Sequence, residues 1–232
     1  MLLRLFVSVA RLPFNTEGEE INWGTEVKPY SWPFMAVIDF YGISSYMKCC
    51  GSFLVAEDII MTVAHSNGIL GVTGQMNVNL GAHNIKKRES SQQTIPVVEA
   101  VPHQNYNKTK KINDIMLLKV HSADFCTIAL PKRQSWVKPG QLCRVAGRGD
   151  WPMANHLTNF RKRTWKFRKS RRSTQLCVGN PKEKKASDKL HGDSRGPFLC
   201  SNVLQGIVSY VFTRMSSFLP WIQKMMKYLQ HP

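Results

Sequence analysis

Three residues of the 232-residue chain could together perform nucleophilic chemistry: His65, Asp114 and Ser194, in that order along the sequence. His65 closes an apolar run in MTVAHS (61–66), Asp114 opens one in NDIMLLKV (113–120), and Ser194 stands in GDSRGP (192–197). A serine hydroxyl is a weak nucleophile near neutral pH and needs a base to take its proton; imidazole titrates in the right range. The imidazole in turn needs a carboxylate to fix its tautomer and to stabilise its charged form. The oxyanion formed on attack at a carbonyl needs backbone N–H donors, and a glycine at 192 lets such donors approach closely. Singly these residues are weak signals, because a histidine at a strand end or an aspartate opening a strand is usually structural. Together, in the order His, Asp, Ser and each with its flanks, they make a strong one. That order separates this arrangement from those of subtilisin and the α/β-hydrolases.

Positioning such a set requires a rigid frame. Short apolar, often β-branched runs at 34–40, 53–55, 59–63, 76–80 and 115–120 are separated by polar or glycine turns and read as strands. A second set follows at 142–146, 198–199 and 206–211, and many short strands with turn signals suggest sandwiches or barrels. Phe218, Trp221, Ile222, Met225, Met226 and Leu229 recur at helical spacing, so the end of the chain is an amphipathic helix packed on the body, with Pro220 in its first turn. Apolar residues make up 43% of the chain, which indicates a globular protein.

The chain carries 32 Lys+Arg against 15 Asp+Glu, a formal charge of +17. Such an excess favours polyanionic partners. The basic residues concentrate in RKRTWKFRKSRR (161–172), where Trp165 and Phe167 lie between the charges. Interleaved aromatics can stack on nucleic acid, but in a secreted protein sulfated polysaccharide is the better-fitting partner, and charge runs are often only solvated faces. Six cysteines, Cys49, Cys50, Cys126, Cys143, Cys177 and Cys200, include no CxxC pair, so neither zinc nor another cofactor is expected. An even count suits disulfides, whose pairing the spacing leaves open. Residues 1–18 read as a degraded signal peptide interrupted by Arg4 and Arg11, with an ordinary N-terminal arm as the alternative. No apolar stretch is long enough to span a membrane.

Several segments carry a family likeness. GTEVKPYSWPFMAVI, CGSFLVAEDIIMTVAHS, NVNLGAHNIKKRESSQQTIPV, PHQNYN, NDIMLLK, VKPGQLCRVAG, LCVGNPKEKK, GDSRGPFLC and QGIVSY resemble the chymotrypsin-like serine proteases, and among them the granzymes of the granzyme B and granzyme H type. The resemblance runs from about Ile21 to the C-terminus. It implies an all-β fold of two packed six-stranded antiparallel barrels with a C-terminal helix. The first barrel falls at about 21–125, the second at about 126–217 and the helix at about 218–229. It implies His65 as general base, Asp114 as its orienter, Ser194 as nucleophile, and Gly192 and Ser194 as oxyanion-hole donors. Residues 19–20 become an activation dipeptide. Cleavage after Glu20 frees the Ile21 amine to pair with Asp193. A specificity pocket falls to Asp188, Ser209 and Tyr210, and a disulfide to Cys143 and Cys200. Protein substrates, a monomeric state, the secretory pathway or cytoplasmic granules, and binding of glycosaminoglycan or proteoglycan through Arg161–Arg172 follow, with no dedicated nucleic-acid site. Asn107-Lys108-Thr109 matches a glycosylation sequon.

The chain also departs from that family's pattern. Arg195 stands where GDSGGP has glycine, and a side chain forced into a glycine-only conformation costs about 1–3 kcal/mol. Asn22 and Trp23 replace an apolar and a small residue at the activated N-terminus, and Ser66 replaces the partner of Cys50. The stretch around 155–175 is shortened, removing the partner of Cys177. A wall of the specificity pocket is missing roughly nine residues after Tyr210. These features set an impaired granule endopeptidase against an inactive cationic homologue that binds heparin-like polyanions, and against a decaying gene product.

Overall fold

The computed structural model describes residues 25–41, 46–67, 75–85, 87–110, 112–133, 135–147, 161–179, 196–209 and 212–231. Among them, after a short strand β1 (Thr25–Glu26), six strands close into an antiparallel barrel. These are β2 (Met35–Tyr41), β3 (Tyr46–Ala56), β4 (Ile59–Thr62), β5 (Gln75–Leu80), β6 (Gln93–Pro102) and β7 (Met116–Val120), in the order β2-β3-β4-β7-β6-β5. A second set, β8 (Leu142–Gly147), β9 (Arg161–Arg172), β10 (Gln175–Gly179), β11 (Pro197–Cys200), β12 (Val203–Ile207) and β13 (Phe212–Arg214), forms a sheet in the order β9-β10-β13-β12-β11-β8. Pairing of β8 with β9 closes it into a second barrel of six strands. β1 adds to the outer edge of β9, Thr25 opposite Lys162 and Glu26 opposite Arg161.

The apolar runs of the first half are continuous because both of their faces are buried. Ile38, Leu54, Ile60, Met116 and Leu118 point into the first barrel, whereas Phe53, Ile59, Met61 and Leu117 point away from it. That second group packs with Leu199, Leu204 and Ile207 of the second barrel and with Met215, Phe218, Trp221 and Ile222 of the helix α1 (Met215–Gln230), a core shared by all three parts. The second barrel fills its own interior with Val145, Trp165, Phe167, Leu176, Val178, Phe198 and Phe212. Cys143 and Cys200 are joined by a disulfide between β8 and β11. Cys126 is a free, exposed cysteine and Cys177 is buried. The side chains of Cys49 and Cys50 are outside the described set. Ser66, expected where a bridge is lost, is fully buried.

The basic segment 161–172 is a strand, which corrects its reading as a surface run with aromatics available for stacking. Trp165 and Phe167, 3% and 4% exposed, alternate inward against Lys162, Thr164 and Lys166 and belong to the barrel core. The helix starts at Met215 rather than near 218, so Pro220 sits in its second turn and cannot donate to the Ser216 carbonyl. The strand expected at 206–211 is β12, which begins earlier and ends at Ile207. No helix among the described residues is long and apolar enough to cross a membrane.

Candidate active site

His65 lies in a single 3-10 turn (Ala64–Ser66) just after β4, and Asp114 lies just before β7. β4 and β7 are antiparallel neighbours, with Thr62 opposite Met116, so both residues emerge at the same end of the first barrel. The approach to Asp114 passes through Asn113 at φ 57°, a left-handed conformation that asparagine adopts more readily than most side chains. Asn113 is held there by its Nδ2, which donates to the Asn105 carbonyl at 2.9 Å.

Asp114 is 1% exposed and accepts from several donors. The His65 backbone N–H reaches Oδ1 at 2.8 Å, and His65 Nδ1 lies 2.7 Å from Oδ2. The Ser209 hydroxyl, just after β12, donates to the same Oδ2, and Thr213 Oγ1 lies 3.5 Å from the Asp114 carbonyl oxygen. The carboxylate of one barrel is therefore seated by groups of the other. Burial by itself raises the Asp114 pKa. The hydrogen bonds and charge of His65, with the Ser209 bond, outweigh it and hold the carboxyl below its usual value. An ionised carboxylate can only accept, so His65 Nδ1 carries a proton and donates it to Asp114. The carboxylate thus fixes the orientation of the half-buried imidazole.

Ser194, Gly192, Asp193, Ile21, Asp188 and Tyr210 lie outside the described residues, as do Arg195 and the 1–24 segment. The described chain resumes at Gly196, whose carbonyl accepts from Val208 N–H at 2.9 Å. Gly196 passes directly over Ala146: an added Cβ would overlap the Ala146 carbonyl oxygen and lie 2.9 Å from its carbon. The entry to β11 is fixed two residues past Ser194, close to the Val208–Ser209 turn that reaches Asp114.

Of the residues expected to form a specificity pocket, Ser209 is the one described, and its hydroxyl is engaged by Asp114. The sequence reading did not foresee that contact, nor the approach of Thr213. Neither residue carries a local signal, because their partner lies 95 or more positions away. Among the described residues no cluster of three or more His, Cys, Asp or Glu side chains could hold a metal ion.

Comparison with known proteins gives this geometry a lineage. The family model described as Trypsin matches residues 21–222. Granzyme-like protein 2 of Rattus norvegicus is 50% identical, with all of both chains covered, and Mast cell protease 8 of Mus musculus is 48% identical over the same extent. Granzyme H of Homo sapiens is 41% identical, covering 91% of this chain and 93% of its own. A solved structure titled "Structure of GrC" superposes with a TM-score of 0.75 at 36% identity, covering 88% of this chain and 99% of the other. By sequence over its whole length and by fold, the chain belongs to the trypsin family of serine proteases.

Proposed function

We propose that this protein is a granzyme-like serine endopeptidase of the secretory pathway, stored in granules or secreted, acting as a monomer on protein substrates. The observation that carries the reading is the His65–Asp114 pair, joined through His65 Nδ1 and seated by Ser209 from the opposite barrel. In this reading Ser194 Oγ attacks the scissile carbonyl carbon while His65 Nε2 takes its proton. The backbone N–H groups of Gly192 and Ser194 hold the oxyanion. The imidazolium then protonates the leaving amine, and water hydrolyses the acyl-enzyme by the same route. Cleavage after Glu20 activates the enzyme through an Ile21 amine–Asp193 pair, and Asp188, Ser209 and Tyr210 border the specificity pocket. Arg195 slows turnover, since a displacement of about 1 Å at a reacting group costs roughly a hundredfold in rate.

The basic face of β9 serves as a polyanion site, its outward lysines meeting glycosaminoglycan sulfates while its aromatics stay in the core. The test of the enzyme reading is covalent labelling by a fluorophosphonate probe after cleavage behind Glu20. Labelling is expected in the parent, abolished in Ser194→Ala and faster in Arg195→Gly. A folded, processed protein that takes no label, and whose Arg195→Gly variant takes none, sinks the reading and leaves the inactive cationic homologue.

A further inference from the structure

Residues 131–133 and 135–141 are described, and the latter lie across one end of the second barrel. Val137 packs against the barrel core, and the segment is tied to β9 by Gly140 N–H donating to the Phe167 carbonyl at 2.8 Å and Phe167 N–H donating to the Gln141 carbonyl at 2.9 Å. A turn closes it, Gln141 N–H donating to the Lys138 carbonyl at 3.0 Å. With Val137 turned inward, Trp136 is held outward at 76% exposure, and Leu142, at the start of β8, is 58% exposed. The Arg214 guanidinium lies 4.8 Å from the Trp136 ring centroid. Lys132, Arg133 and Lys138 are exposed on the same segment, and the Lys166 side chain reaches Gly140 from β9. No acidic residue occurs in the sequence between Asp124 and Asp150.

We infer that this end of the second barrel docks on an anionic lipid surface, with the Trp136 ring at headgroup level and the surrounding cations on the lipid phosphates. A ligand recognised by charge alone has no use for an exposed indole and an exposed leucine. A membrane interface takes up both, and indole is a side chain favoured at that depth. Each basic residue brought to an anionic leaflet adds attraction. The segment's hydrogen bonds to β9 hold the apolar tip in place beforehand, so little ordering is left for binding to impose.

The test is co-sedimentation of the full chain with vesicles of phosphatidylcholine containing about 30 mol% phosphatidylserine, against phosphatidylcholine alone. The parent is expected to partition onto the anionic vesicles and not onto the neutral ones. Trp136→Ser is expected to lower partitioning about tenfold, from the lost apolar burial. Lys132→Gln, Arg133→Gln and Lys138→Gln together are expected to lower it about a hundredfold. Tyr30→Ser, which removes another exposed aromatic, on the β1–β2 connection, leaves it unchanged. Circular dichroism confirms that each variant is folded, as expected for exposed positions. Heparin-column elution is read in parallel and is expected to move with the triple variant but not with Trp136→Ser. The inference is overturned if Trp136→Ser partitions like the parent or if Tyr30→Ser loses as much. It is also overturned if Trp136→Ser shifts heparin elution as far as it shifts vesicle binding, which makes the patch a polysaccharide site.

Discussion

Replacing both Cys143 and Cys200 by alanine should cost this fold about a third or more of a typical domain's stability. The two cysteines bridge neighbouring strands but are 57 positions apart in sequence. In the chain-entropy description, releasing a loop of that length returns about 14 cal/mol/K to the unfolded state, or about 4 kcal/mol at 25 °C. Both side chains are buried, 2% and 3% exposed, and alanine fills most of their space without adding a polar atom, so the loop term dominates. For a protein of this size each kcal/mol moves the melting temperature by about 2–4 °C, which gives a fall of about 8–16 °C. Thermal melts followed by circular dichroism would compare the parent, Cys143→Ala/Cys200→Ala and Cys126→Ala, the last removing an exposed thiol. The parent in reductant should melt with the double variant, and Cys126→Ala with the untreated parent. A double variant that melts within about 3 °C of the parent would refute the loop argument. It would mean that the strand pairing of β8 with β11 alone confines the segment between them.

Two other perturbations bear on the site. Gly196→Ala drives a Cβ into the Ala146 carbonyl, so β11 must shift by on the order of 1 Å; probe labelling at Ser194 should fall roughly a hundredfold. Gly206→Ala, whose added Cβ would sit 2.9 Å from the Thr213 carbonyl oxygen, should be milder, and equal labelling rates for Gly196→Ala and the parent would count against the packing account. Asp114 has a folded pKa below its reference value of 3.8, so the stability it supplies is complete above the unfolded pKa and is lost as pH falls through the folded one. Ser209→Ala removes a donor to that carboxylate, should cost about 1–3 kcal/mol, and should raise the pH at which acid unfolding begins. Urea melts from neutral to acid pH check this, and an unmoved acid limb means that the Ser209 bond does not hold the charge.

The strands that frame His65 and Asp114 were legible because β4 and most of β7 are buried, leaving runs that are apolar but for Thr62 and Lys119. β9 was illegible for the opposite reason. Its inward Trp165 and Phe167 are outnumbered in the sequence by cations, so composition hid a period of two. β6 was hidden by Pro96 and by side chains of which Ile95 alone is buried. The first turn of α1 has no legible start, because Arg214 makes no side-chain cap and the turn holds no acidic residue. The His65–Asp114 partnership could be read from residue types and their flanks. The seat that Ser209 provides could not, since it exists only once the two barrels meet.

β1 belongs to the half of the chain that builds the first barrel, yet its hydrogen-bonding partner is β9 of the second. During synthesis Thr25 and Glu26 leave the ribosome long before Lys162 and Arg161 exist. Until β9 arrives this edge stays unmatched, and the shared core between the barrels has one wall. The N-terminal half therefore waits, partly open, for its second half, and the slow, long-range step of folding is the joining of the two. A chain nicked between the barrels should for the same reason yield two pieces that recover structure on mixing rather than two independent domains.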